Sequence, residues 1–241
     1  MPSASKQKLR LWVLKWGLYP RRVTIYLKEK GIQDHFDIIP VEITHHGQTP
    51  APGKPPGTFP ILELSPPTTP DGTDGRYIFQ STAILQYLED VYGTDGGLPN
   101  MRGATPWERA RERECMDVLN EAVSFFALYC HNASKLFAGT EPQSTEGAKV
   151  SLSRAHKMFS LLEHLSDAKG PWLASSGDHP LIVDCVLMST VQFAWNVFKV
   201  DLCKDHPRLQ EVVDAFATRG SAALEEYPEG IQELSQQMAV R

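Results

Sequence analysis

The first 114 residues contain no cysteine, and the whole chain lacks a CxxC pair and any apolar run of membrane-spanning length. The four cysteines all lie at residue 115 or beyond, without the paired spacing of a zinc site, so no metal is expected. Redox or nucleophilic chemistry by a protein thiol is thereby excluded from the first 114 residues. Residues 1–8 are polar and lack the apolar core of a signal peptide, so the protein is expected to be cytoplasmic.

An excess of positive charge is also absent. The chain has 24 Lys and Arg against 29 Asp and Glu, a formal net charge of −5. This mild acidity favours neither nucleic acid nor an anionic membrane as a partner. A chain of 241 residues with 41% hydrophobic and 22% charged residues is ordinary for a globular protein of one or two domains.

The first ninety residues alternate between strand and helix patterns in the order β-α-β, loop, β-β-α. Strands are predicted at 9–14, 36–43, 59–64 and 76–79, and helices at 21–30 and 81–92. Glycines 31 and 93 end the two helices, and the inward faces are predicted to carry Val23, Tyr26 and Leu27, then Ile84, Leu88 and Val91. A right-handed crossover favours parallel pairing of the first two strands. This order is that of a thioredoxin-like fold.

Residues 94–104 read as a linker, and everything beyond them as helix. Thr105-Pro106-Trp107-Glu108 is a capping box with proline at the first helical position, and that helix is predicted to reach about residue 137. Further helices are predicted at 144–165, at 181–198 and from residue 207. The helix predicted at 181–198 is apolar nearly all round, which predicts a central core helix that buries Trp195 and Phe198. The predicted domains are therefore an α/β domain at 1–93 and an all-α domain at 105–241.

Three segments, in this order and spacing, resemble the cytosolic glutathione transferases, fungal-type members included. They are residues 19–31, residues 57–62 around Phe59-Pro60, and residues 80–89, which begin with Gln80-Ser81. The resemblance covers nearly the whole chain. It implies a thioredoxin-like domain that binds glutathione as cosubstrate or cofactor, an all-helical domain that shapes an apolar pocket, and a homodimer.

The resemblance also assigns roles in glutathione binding. A cis bond at Pro60 would let the backbone of Phe59 pair with the cysteinyl residue, while Ser81, at a helix N-terminus, and Gln80 would hold the γ-glutamyl carboxylate. Lys54, His45 and His46 are candidates for the glycyl carboxylate. Two plainer interpretations stay open, since Ser81 could be only a helix cap and Pro60 a purely structural proline.

The catalytic position departs from the family pattern. Gly17 stands where many members have a serine or cysteine that donates to the glutathione thiolate, and the only nearby hydroxyl is that of Tyr19. Backbone N–H groups of residues 17–19, or a guanidinium of Arg21 or Arg22, could lower the thiol pKa instead. Alternatively, Tyr19 packs between the domains, and the two arginines lie in solvent or at an interface.

An aromatic stretch in the first helix of the second domain is the candidate wall for a large apolar substrate. It consists of Phe125, Phe126 and Tyr129, followed by His131, and about half of these are expected to be core residues. The family's capping Ser or Thr is replaced by Leu181, although Asp184 remains. The predicted activity is addition of the glutathione thiolate to an electrophile, with specialisation for a biosynthetic pathway. The alternatives are a glutathione-dependent double-bond isomerase and a non-catalytic binding module.

Overall fold

The computed structural model describes residues 8–44, 47–48, 51–66, 68–69, 74–166, 170–175, 177–228 and 230–237. The chain separates into two compact units, residues 1–99 and residues 100–241. Across the described ranges, no helix combines the length and the apolar character needed to cross a bilayer.

The first unit is a four-stranded mixed sheet with two helices. Its elements are β1 (Leu9–Val13), α1 (Leu18–Lys30), β2 (Phe36–Pro40), β3 (Ile43–Thr44), β4 (Gly47–Gln48), β5 (Ile61–Ser65), β6 (Arg76–Ile78) and α2 (Ser81–Tyr92). The sheet order is β2-β1-β5-β6, with β1 parallel to β2 and antiparallel to β5, while β3 and β4 form a separate hairpin. The predicted thioredoxin-like order is confirmed. The predicted turn at Asp71-Gly72 lies outside the described residues.

Local signals account for the ends of the two helices in the first unit. Gly31 adopts the left-handed conformation, with φ 73°, and closes α1 as predicted. At the other end, α1 begins three residues earlier than predicted, because the Arg21 N–H already bonds to the Gly17 carbonyl at 3.0 Å. Along α2, the prediction that Val91 faces inward is wrong, since it is 51% exposed and Leu85 is buried beside Ile84.

The second unit is all-helical. Its helices are α3 (Pro106–Ala133), α4 (Thr145–Leu165), α5 (Ile182–Phe198), α6 (Pro207–Ala217) and α7 (Ile231–Gln236). The capping box at the start of α3 is confirmed, with the Glu108 N–H 3.2 Å from Thr105 Oγ1 and the Thr105 N–H 2.9 Å from Glu108 Oε2. The helix ends four residues before the predicted end, and α7 was not predicted.

Asp184 organises the start of α5. Leu181 offers no side-chain cap, and the fully buried Asp184 carboxylate accepts hydrogen bonds from the N–H groups of Leu181 at 2.7 Å and Leu173 at 2.9 Å. Burial raises the pKa of Asp184 to about 6, because the charged form loses its hydration. One carboxylate thus holds both the N-terminus of α5 and the loop before it.

The raised pKa of Asp184 predicts a specific pH dependence of stability. The folded-state pKa lies above the unfolded value of about 3.9, so protonation stabilises the fold, and this contribution is lost as pH rises from about 4 through 6. The free energy of unfolding of the natural protein, measured relative to Asp184→Asn by urea titration, should therefore fall between pH 4 and 7. A difference between the two proteins that does not change with pH would contradict this prediction.

Candidate functional site

The N-terminus of α2 presents backbone donors and a buried hydroxyl. The first hydrogen bond of the helix runs from the Ile84 N–H to the Gln80 carbonyl at 2.9 Å. The N–H groups of Ser81, Thr82 and Ala83 therefore take no part in hydrogen bonds within the helix. Neither these groups nor the Ser81 hydroxyl has a hydrogen-bond partner among the described residues, although Ser81 is only 5% exposed. Gln80 is exposed in the N-cap position and makes no side-chain cap bond. The helix dipole and these donors suit a carboxylate.

Phe59 offers a backbone donor and acceptor at the entrance to β5. The Phe59–Pro60 bond is cis, as predicted, and the Phe59 side chain packs against the buried cluster of Trp12, Val41 and Ile61. Pairing between β1 and β5 begins only at Ile61, opposite Trp12. Within the described residues, the N–H and C=O of Phe59 have no hydrogen-bond partner. A short extended peptide could therefore pair here as an added strand.

Lys54 is engaged with its own loop. Its Nζ donates to the Pro55 carbonyl at 2.8 Å and the Gly57 carbonyl at 3.2 Å, and lies 5.0 Å from the centroid of the Phe59 ring. An ammonium has three donors, so one remains for a ligand. The other two candidates for that role, His45 and His46, lie outside the described residues.

The N-terminus of α1 has fewer donors than predicted, and more buried positive charge. The Gly17 N–H donates to the Leu14 carbonyl at 2.9 Å, which leaves the N–H groups of Leu18 and Tyr19. The Tyr19 ring is 43% exposed, and the Arg22 guanidinium carbon lies 4.9 Å from its centroid. Arg22 is buried rather than in solvent, and burial lowers its pKa to about 10, so it keeps its charge at neutral pH.

These features lie in a segment that matches a known family. Residues 16–91 match the model described as glutathione S-transferase, N-terminal domain. Over these residues the first unit is similar to a glutathione S-transferase N-terminal domain. The resemblance stated from the three sequence motifs is confirmed.

Comparison with individual proteins gives the same result. Glutathione S-transferase 2 of Saccharomyces cerevisiae (strain ATCC 204508 / S288c) is 31% identical over 107 residues, which cover 43% of this chain and 41% of that protein. The chain thus matches about two fifths of the length of this curated relative.

Solved structures extend the likeness in fold to most of the chain. A glutathione S-transferase domain-containing protein of Marinobacter aquaeolei VT8 is 26% identical, with a TM-score of 0.70 over 89% of this chain and 100% of that one. A glutathione S-transferase of Methylobacillus flagellatus KT, crystallised with GSH bound, is 17% identical, with a TM-score of 0.67 over 89% and 97%. The predicted α/β plus all-α transferase architecture is confirmed.

The first unit also holds a buried ionic network that the sequence patterns missed. The Lys30 ammonium is fully buried, and it donates to the Glu89 carboxylate at 2.9 Å, the Gly93 carbonyl at 2.5 Å and the Pro99 carbonyl at 2.7 Å. The Tyr26 hydroxyl donates to the same carboxylate at 2.6 Å. These bonds tie α1 to the C-terminal end of α2, the helix whose N-terminus carries Ser81. Their only signal in the sequence is a charge within the apolar stripe of each helix.

The residues predicted to line the substrate pocket in the second unit differ in how far they are buried. Phe126 is fully buried, with its ring edge-on to Phe198 at 5.8 Å, so it packs in the core and is not a surface for a ligand. Phe125 and Tyr129 are half-buried and stay candidates, with the Arg154 guanidinium 5.4 Å from the Phe125 centroid. His131 pairs with the Glu141 carboxylate at 2.8 Å.

Proposed function

We propose that this protein is a glutathione-dependent enzyme whose first unit binds glutathione, and which adds the glutathione thiolate to an electrophilic, apolar substrate. The observation that carries the proposal is the N-terminus of α2, where a buried hydroxyl and three N–H groups have no partner among the described residues. This feature lies within the segment that matches the transferase domain, and one structure of this fold was crystallised with GSH.

The donors of the first unit suit the three parts of glutathione. The γ-glutamyl carboxylate would accept from Ser81 and the N–H groups after it, with Gln80 beside them. The cysteinyl residue would pair with the Phe59 backbone next to Pro60. The glycyl carboxylate would take the remaining donor of Lys54 or a histidine such as His46.

Thiol activation is assigned to the start of α1. The N–H groups of Leu18 and Tyr19 and the positive end of the helix dipole would stabilise a thiolate, and the buried Arg22 adds a full charge nearby. Gly17 supplies no hydroxyl. The reacting sulfur belongs to glutathione, since the first 114 residues contain no cysteine.

Two measurements test this proposal. Isothermal titration with glutathione should show one binding site in each chain, and absence of binding would support the non-catalytic module. With an electrophilic enone as substrate, free thiol should fall in step with product. Turnover without loss of thiol would show an isomerase, in which glutathione adds and then leaves.

Replacement of Tyr19 by phenylalanine should leave most of the activity and shift the pKa of bound glutathione by less than one unit. Tyr19 lies at the helix entrance, two residues beyond the position of the family's usual hydroxyl, and backbone donors remain in the variant. Ultraviolet absorbance of the thiolate measures the pKa, with Tyr87→Phe on α2 as a matched control. A larger shift together with a ~10²-fold loss of turnover would make Tyr19 the catalytic donor.

Several further properties stay predictions. They are a homodimer, a cytoplasmic location, an apolar substrate bound near Phe125 and Tyr129, and a role in biosynthesis.

A further inference from the structure

Gly57 and Phe79 bring together two segments that serve opposite ends of the proposed glutathione site. Gly57 lies two residues before Phe59, whose backbone is proposed to pair with the cysteinyl residue. Phe79 lies two residues before Ser81, which is proposed to bind the γ-glutamyl carboxylate. A Cβ atom at position 57 would lie 3.0 Å from Cδ1 and 3.1 Å from Cε1 of Phe79. The edge of the phenylalanine ring therefore lies directly against the backbone of Gly57.

The backbone at Gly57 suits glycine for two reasons. Its φ of 133° lies in a region that residues with a side chain rarely adopt, and any Cβ would press into the Phe79 ring. The Gly57 carbonyl also accepts a hydrogen bond from Lys54 Nζ at 3.2 Å. The same glycine thus contacts the Phe79 ring and the lysine proposed for the glycyl carboxylate.

Phe79 is held in place without being part of the core. It is 38% exposed, and its ring centroid lies 6.1 Å from that of Tyr77. Tyr77 packs against the same buried cluster that the Phe59 side chain contacts. Because Phe79 is partly exposed, loss of its ring should change the stability of the protein only slightly. Its contact with Gly57 therefore has a purpose other than filling the core.

We propose that Phe79 is a positioning residue, which fixes the span between the Phe59 backbone and Ser81. This inference rests on the proposed binding of glutathione by the first unit. A ligand held at both ends gains affinity only when the spacing of its two sites matches its own length. The contact between Gly57 and Phe79 fixes that spacing before the ligand arrives, which lowers the cost of binding. A ligand that reaches only one of the two sites gains nothing from it.

Two ligands of different reach test the proposal. Glutathione uses both sites, whereas cysteinylglycine lacks the γ-glutamyl part and reaches only the Phe59 side. In isothermal titration of the full chain, Phe79→Ala should weaken glutathione binding about fivefold and leave cysteinylglycine unchanged. Phe79→Tyr, which keeps the ring, should bind both ligands as the natural protein does. A variant that merely damaged the fold of the site would lose affinity for both ligands alike, and that result would overturn the proposal.

A double-mutant cycle on glutathione binding tests the contact itself. Gly57→Ala strains the backbone whether or not the ring is present, so the strain cancels when its effect is compared in the natural protein and in Phe79→Ala. Gly57→Ala should weaken glutathione binding about fivefold more in the natural protein, where the new methyl group displaces the ring. Equal losses in the two backgrounds would overturn the proposal. If Phe79→Ala lowers the melting temperature, the cycle is run with Phe79→Leu, which keeps an apolar side chain beside Tyr77.

Ile38→Ala is the matched control, because Ile38 is a 36% exposed apolar residue on β2, at the opposite edge of the sheet from β6. It should leave the affinity for glutathione unchanged, and a loss equal to that in Phe79→Ala would overturn the proposal. If the natural protein binds no glutathione, the proposed function itself fails. If it binds glutathione and the cycle shows no coupling, only the role of Phe79 is refuted.

Discussion

Replacement of Lys30 by methionine is expected to lower the free energy of unfolding by about 3–5 kcal/mol, because the variant leaves the buried Glu89 carboxylate without its cation. The carbonyls of Gly93 and Pro99 lose a donor at the same time. Removing one partner of a buried ion pair costs far more than the pair itself contributes. Urea unfolding followed by circular dichroism measures the loss.

Two variants separate this effect from a general cost of changing α1. Lys28→Met replaces an exposed lysine on the same helix and should change the free energy of unfolding by less than about 0.5 kcal/mol. Adding Glu89→Gln to Lys30→Met removes the stranded charge and keeps an acceptor for the Tyr26 hydroxyl, so it should restore part of the stability. A loss below about 1 kcal/mol in Lys30→Met would show that the network contributes little.

Replacement of Ser81 by alanine should weaken glutathione binding tenfold or more. The variant removes one hydrogen bond to a charged group, which is worth roughly 1.5–3 kcal/mol, and leaves the backbone donors of α2 in place. Isothermal titration measures the affinity. An unchanged affinity would refute the assignment of Ser81 to the glutathione carboxylate.

If Ser81 were only a helix cap, Ser81→Ala would lower the stability of the protein and leave its affinity for glutathione unchanged. Loss of a side-chain cap destabilises a protein by about 1 kcal/mol. In the structure, Gln80 occupies the N-cap position and the Ser81 hydroxyl makes no cap bond, so the melting temperature of Ser81→Ala should stay unchanged. Thr82→Ala, which removes a half-buried hydroxyl one residue later, is the matched control for affinity.

The fold could be predicted from sequence largely because its signals are local. Gly31 ends α1 as a left-handed cap, and Thr105 with Glu108 forms the capping box of α3. The order of strands and helices then leaves few arrangements of the sheet, since β-α-β units cross over with one hand. Of the candidate site, Phe59 and Ser81 could be located because each lies in a motif at a fixed position in that order.

Features that depend on distant neighbours were not predictable from periodicity. Helical spacing marks an apolar face but not what covers it, so it predicts a pocket position for Phe126 and a core position for Trp195, whereas Phe126 is buried and Trp195 is exposed. Lys30 and Glu89 are separated by 59 residues, and each alone looks like a solvated charge. The hydrogen bond that engages the Gly17 N–H depends on the path of the chain after β1 and not on residue type.

The three acceptors of Lys30 bear on how this chain could be divided or recombined. The ammonium directs its third donor to Pro99, which lies beyond residue 93, where the sequence pattern ends the first domain. A fragment cut at residue 93 would keep the lysine and lose that acceptor, whereas a cut after residue 99 keeps the network whole. Chimaeras that exchange first units between this chain and its relatives are therefore best joined after residue 99, with Lys30, Glu89 and residues 94–99 inherited together.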